Sequence, residues 1–226
     1  MVALTKAQAI ARIQQGLGFR TDLAEAILLE LRMKQTELEE GSTLPWWLVS
    51  DTNTFATVTT LDSDFAEGKI TIPVNFIRFV EDTDISHSLV SIRQDRILSP
   101  VDYDALLKLG VDSEYEVLTG NPRWWAFHEG HIHVRPIPTI DYSLTATWYA
   151  HDADLAGVSD ASSNQWLTYG APILIGAAGV AIARDLEYPE AEDRFLQMYQ
   201  SALGRMMIDA EIRKSGNRPY AVGAAQ

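Results

Sequence analysis

The densest set of chemically capable side chains is WWAFHEGHIHVRPIP, residues 124–138, which carries three of the five histidines of the chain. With Glu129 and Gly130 as the two residues of a tight hairpin, His128 stands opposite His131, Phe127 opposite Ile132, Ala126 opposite His133 and Trp125 opposite Val134. Strand alternation then sends Trp125, Phe127, Ile132 and Val134 to one face and His128, His131, His133 and Arg135 to the other. Three imidazoles on one face are the pattern of a transition-metal site. The spacing is not that of a helical zinc protease, which needs its second histidine where Ile132 stands. Arg135 on the same face would also repel a cation. A polar or interface face is therefore the preferred reading, with no metal, no cofactor and no catalytic residue expected.

Other arrangements lead no further. Asp62, Asp64 and Glu67, and the trio Glu81, Asp82 and Asp84, lack the central glycine and terminal glutamate of a calcium loop, and read as solvated turn acids. The GLGF stretch at Gly16 follows no strand and does not form a phosphate-cradling loop, and no GxSxG nucleophile elbow is present. The absence of cysteine excludes disulfides, thiolate nucleophiles and cysteine-ligated metals. Trp46, Trp47, Trp124 and Trp125 are residue types that bind sugars or bases, yet large aromatics more commonly anchor cores and interfaces. A carbohydrate- or protein-binding β-domain module is the competing function, with a cell-wall-degrading enzyme more distant.

Three segments must position these residues. In the first 50, Thr5 and Gln8 form a capping box before Ile10 and Ile13, and Gly16 and Gly18 break the chain before a second helix starting at Thr21 or Asp22. Leu23, Ile27 and Leu31 line one face of that helix, Glu30 and Lys34 pair on its surface, and Gly41 ends it. Short runs rich in aromatic and β-branched residues follow at 55–61, 69–73, 76–81, 88–92, 115–119, 124–128, 131–135 and 142–149, with a helical turn near 101–109. From Ser162 and Gln165, a second predicted capping box, a helix is expected through about residue 186, kinked or interrupted in its early turns by Pro172. Gly170, Gly176 and Gly179 require close backbone approach there, by another helix of the chain or by one of a neighbouring subunit. Pro189 opens a last helix with the stripe Phe195, Met198, Tyr199, Ala202 and Met206.

The expected fold is α+β: a helical bundle formed by the N- and C-terminal helices, with a central antiparallel β-sandwich or open-barrel domain. The expected division is residues 1–50 with 160–214 as a helical domain, 51–155 as the β domain and 215–226 as a flexible C-terminal arm. The most apolar run, residues 170–183, is too short to span a bilayer and reads as a buried helix, and the N-terminal residues lack the apolar core of a secretory signal.

Of the 226 residues, 18 are basic and 31 acidic, a net charge of -13. Residues 51–186 hold 8 basic and 19 acidic groups and so carry nearly all of it. Such a surface repels nucleic acid and membranes that approach it, and also suits a passage through which DNA slides without sticking. The tail RKSGNRPYAVGAAQ, residues 213–226, has little to pack except Tyr220 and Val222, and inserted into a partner would anchor through Tyr220.

Residues 122–125, 130–138, 142–149 and 166–186, set between helices at both ends, resemble the head-to-tail adaptor, or connector, proteins of tailed bacteriophages, particularly those of short-tailed phages. The resemblance implies a structural, non-enzymatic virion protein at the head-tail junction, assembled in the host cytoplasm. It implies a homo-oligomeric ring, usually of twelve subunits, that docks on the portal protein and receives a downstream tail or nozzle protein. Genome DNA would pass through the bore without sequence-specific binding, and no membrane would be involved. Carried onto this chain, the subunit contacts fall to Trp166, Ile173, Leu174, Ala177, Val180, Phe195, Met198, Tyr199 and Met206. The portal-facing residues would be Arg213, Lys214, Arg218, Pro219 and Tyr220.

Overall fold

The structure is a computed structural model that describes residues 3–58, 68–80, 89–91, 96–111, 113–114, 116–140 and 142–214. The α+β expectation holds: helices from both ends of the chain come together in one unit, and the middle of the chain forms a mainly antiparallel sheet. The chain divides into two compact units, Met1–Leu48 with His151–Gln226, and Val49–Ala150.

The first unit is helical. α1 (Lys6–Gly16) opens with the predicted capping box: the Gln8 backbone N–H donates to Thr5 Oγ1 at 3.3 Å, and the Thr5 N–H donates to Gln8 Oε1 at 3.0 Å. A 3-10 turn (Thr21–Leu23) then leads into α2 (Ala24–Glu39), so the second helix starts about a turn later than its Thr21 or Asp22 signal. Ile27 and Leu31 are fully buried, as their spacing predicts.

The helix expected from Ser162 is interrupted in its early turns, as Pro172 foretold, and forms two pieces. α4 (Gln165–Tyr169) is capped by Asn164, whose side chain accepts from the Leu167 N–H, and not by Ser162; Gly170 separates it from α5 (Ala171–Asp185). Pro172 consequently falls in the first turn of α5, where its missing N–H leaves no helical bond unmade. α5 packs against α1, α2 and α6 (Pro189–Lys214) and forms the centre of this unit. Its glycines meet α6: a Cβ at Gly176 would lie 2.8 Å from the backbone nitrogen of Tyr199, and one at Gly179 2.5 Å from the ring of Phe195.

The second unit contains β1 (Val49–Val58), β2 (Lys69–Thr71), β3 (Phe76–Phe79), β4 (Leu89–Ser91), β5 (Arg96–Pro100), α3 (Tyr103–Leu109), β6 (Trp124–His128), β7 (His131–Arg135) and β8 (Tyr142–Ala150). The strand order is β1-β8-β4-β5-β6-β7-β2, with β3 also pairing with β8. Its core holds Ile70, Leu98, Trp125, Ile132, Val134, Leu144, Ala146 and Trp148.

Two features depart from the sequence reading. β5 had no sequence signal, and it pairs antiparallel with β4 but parallel with β6. A parallel pair needs a crossover, and α3 with the loop behind it supplies that connection. The strand expected at 115–119 is reduced, among the described residues, to isolated bridges Val111↔Val117 and Thr119↔Ile137.

Candidate functional site

The histidine hairpin forms in the expected register: His128 pairs with His131, Phe127 with Ile132, Ala126 with His133 and Trp125 with Val134. Glu129 (φ 49°) and Gly130 (φ 77°) both take positive φ, the geometry of the mirror-image turn whose twist matches that of paired strands. Trp125, Ile132 and Val134 enter the core, while Phe127 on the same face stays half exposed.

The imidazole face is packed against α3. Tyr103 from α3 lies on it, stacked on His128 with centroids 4.0 Å apart and meeting His133 edge-on at 4.9 Å. The His133 ring is 6.2 Å from that of His128 and 6.5 Å from that of His131. Burial pushes the His133 pKa down, helped by the positive charges of Arg135 and Lys69 and by His128 and His131. The face therefore holds α3 on the hairpin through ring packing. Among the described residues no group of three or more His, Asp or Glu is placed to hold a metal ion.

A second polar cluster, inside the helical unit, had no sequence signal. Glu39, at the end of α2, is 2 % exposed. Its Oε1 accepts from Trp166 Nε1 at 2.8 Å and Gln35 Nε2 at 3.0 Å, and its Oε2 lies 2.7 Å from His151 Nδ1. Asn164 donates to Gln35 Oε1 at 3.2 Å and to the Ala153 carbonyl at 2.9 Å. Asp152 accepts from the Trp166 N–H at 2.9 Å, and burial pushes its carboxyl pKa up. The network fastens residues 151–166 to α2, and each member accounts for a donor or acceptor that would otherwise be buried unpaired. Leu29, Arg32, Met33, His151, Asp152 and Asp154 line an open groove beside it, with Arg32 and Asp154 joined by two hydrogen bonds of 2.7 Å. A His–Glu pair in a groove has the residue types of acid–base chemistry. Here, though, both Glu39 oxygens are engaged in holding the fold.

The nine helix residues implicated in subunit contacts divide by burial. Trp166, Ile173, Leu174, Phe195 and Met206 are buried within a single chain, against the elements around α5. Ala177, Val180, Met198 and Tyr199 are half-buried. Arg213 and Lys214 end α6, while Arg218, Pro219 and Tyr220 lie outside the described residues, as do Asp62, Asp64, Glu67, Glu81, Asp82 and Asp84. Trp46 and Trp47 are not a free aromatic cleft, since they join Trp166 and Tyr169 in one cluster. The exposed large apolar side chains of this unit include Phe19, Tyr169 and Tyr188, together with Leu29 and Met33 on α2 and Met207 and Ile208 on α6. Ala26, Leu29 and Met33 form a second apolar stripe out of phase with Ile27 and Leu31, a signal that was present in the sequence.

Compared with known protein families, residues 6–223 match the SU10 adaptor protein family. The chain belongs to that family. No curated protein matches the chain. This adaptor is a structural component of the virion of a tailed bacteriophage, located at the head-tail junction, where it bridges capsid and tail. It works by connection and not by catalysis. Among the described residues, no helix is long and apolar enough to cross a membrane.

Proposed function

We propose that this adaptor acts as one subunit of a ring of twelve that docks on the portal protein and receives a downstream tail or nozzle protein, with genome DNA passing through the bore. The observation that carries the reading is that the core of the helical unit is complete within one chain, yet exposed apolar side chains remain on both α2 and α6. Subunit packing gives that surface a reason. Ala177, Val180, Met198 and Tyr199 extend it where they reach solvent. In this reading the helical unit builds the ring wall, and the acidic central segment forms a route or exterior to which DNA does not adhere. The basic residues Arg213, Lys214 and Arg218, with Pro219 and Tyr220, meet the portal.

Electron microscopy of the purified chain mixed with its portal ring tests the proposal. Ring-shaped particles, or added density on the portal, are expected. A chain that sediments as a monomer at every concentration and leaves the portal unaltered would overturn it.

A further inference from the structure

We infer that α3 is an acid-released clamp: when His133 takes up a proton, α3 lifts from the β6–β7 hairpin while the strands stay paired. α3 has seven residues and packs on β6 and β7. Tyr103 at its start lies across the imidazole face, stacked on His128 and edge-on to His133, and the fully buried Leu106 supplies the apolar hold. Both ends are tethered. The Val101 N–H donates to the Trp125 carbonyl at 2.9 Å, and the Gly110 carbonyl accepts from the Leu118 N–H at 2.8 Å. Gly110 is also pressed on Arg135, whose Cδ would lie 2.5 Å from a Cβ there. The piece free to move is therefore residues 102–109, short and fixed by few side chains, as in the parts of a domain that open before the rest.

A proton on His133 conflicts with the closed clamp. The residue is 4 % exposed and stands between Ala126 on β6 and Lys69 on β2. The charged or titratable groups facing its ring are Lys69 from β2, His128 from β6, and His131 and Arg135 from β7, and α3 adds the ring of Tyr103. None is a carboxylate. Asp102, Asp104 and Lys108 of α3 are exposed to solvent. An imidazolium at this position would be dry and set among like charges, so burial first, and then those charges, hold His133 below the ordinary histidine range. His128 differs, being part-exposed with Glu129 Oε1 3.7 Å from its Nε2. Lifting α3 admits water to the His133 ring and breaks no ladder bond of β2, β6 or β7. The closed clamp is thus fully stable above the open-state pKa of about 6.5 and weakens as pH falls below it. With His133 neutral whenever the clamp is closed, opening at pH 5 exceeds that at pH 7 by up to about 25-fold.

Hydrogen exchange of the full chain, with the intrinsic pH dependence of exchange divided out, reads α3 separately from the strands. Between pH 7 and pH 5 the protection of the α3 amides should fall by about threefold to 25-fold, while that of β6 and β7 changes by less than about twofold. His133→Phe should hold α3 equally well at both pH values. A second measurement needs no variant: opening of α3 in the wild type should level off at the pH where the His133 ring, followed by NMR, takes up its proton, because both states are protonated below it. Protection lost equally by α3 and the strands, α3 protection that is the same at both pH values, or an undiminished fall in His133→Phe would each overturn the clamp. So would opening that continues to rise well below the pH of His133 protonation.

Discussion

The fit of α5 against α6 makes a prediction that separates helix propensity from packing. Replacing Gly176 by alanine favours the helix by about 1 kcal/mol. The new Cβ, however, would lie 2.8 Å from Tyr199 N and 2.9 Å from its Cα and Cβ, against ordinary contacts of 3.4–4 Å. Relief requires the two helices to part by roughly half an ångström, because backbone cannot rotate away as a side chain can. Overpacking of this kind costs about 1–3 kcal/mol, and a backbone obstacle belongs at the upper end. The net expectation is a loss of about 1–2 kcal/mol. Gly179→Ala should cost a similar amount, since its Cβ would meet the ring of Phe195 at 2.5 Å, and a Cβ at Gly16 would meet that same ring. The obstacle at Gly179 is a side chain, however, so Phe195→Leu should compensate. A double-mutant cycle should show favourable coupling of at least about 1 kcal/mol there. Tyr199→Ala should give no such rescue of Gly176→Ala, because N and Cα remain. Urea denaturation followed by helical circular dichroism reads each value; with a slope of about 2 kcal/mol/M, the single variants should lose roughly 0.5–1 M in midpoint. A Gly176→Ala protein more stable than the wild type would refute the close approach.

The Glu39 network should be costly to break and only moderately sensitive to loss of its charge. Glu39→Leu orphans Trp166 Nε1 and a Gln35 donor, at about 1–3 kcal/mol each, whereas Glu39→Gln keeps an oxygen for Trp166 and should cost about 1–2 kcal/mol. Equal urea midpoints for Glu39→Leu and the wild type would contradict the network. His133 predicts a pH dependence. Its folded pKa is below the unfolded value of about 6.5, so the native state resists protonation. Stability of the β unit should be full above the unfolded value and fall as pH drops below it, with the penalty reaching its full size below the depressed folded value. Tyr103 on α3, His128 on β6, His131 and Arg135 on β7 and Lys69 on β2 surround the ring, and none supplies a carboxylate to favour the charged form. His133→Phe should lose less stability than the wild type between pH 7 and pH 5. An equal loss in both proteins would show that His133 is not the cause.

What could be read without coordinates was set by neighbours in the chain. The Thr5–Gln8 box and the hairpin register around Glu129 and Gly130 depend on groups within a few residues of each other, so spacing alone specified them. The buried stripe Ile27 and Leu31 followed from helical periodicity. The acidic excess of the middle segment needed only counting, and the family resemblance rested on runs of residues rather than on contacts. Tertiary structure decided the pairings between distant segments. Glu39 finds His151 and Trp166 more than 100 residues away, β5 becomes a strand because β4 and β6 bond both its edges, and Tyr103 closes the imidazole face from another element. The small-residue helix shows the boundary most plainly. Its glycines announced that something packs tightly, since a missing side chain leaves room for a backbone. Only the folded chain shows that α6 of the same molecule takes that room, because periodicity defines which face of a helix is smooth and not which surface will cover it.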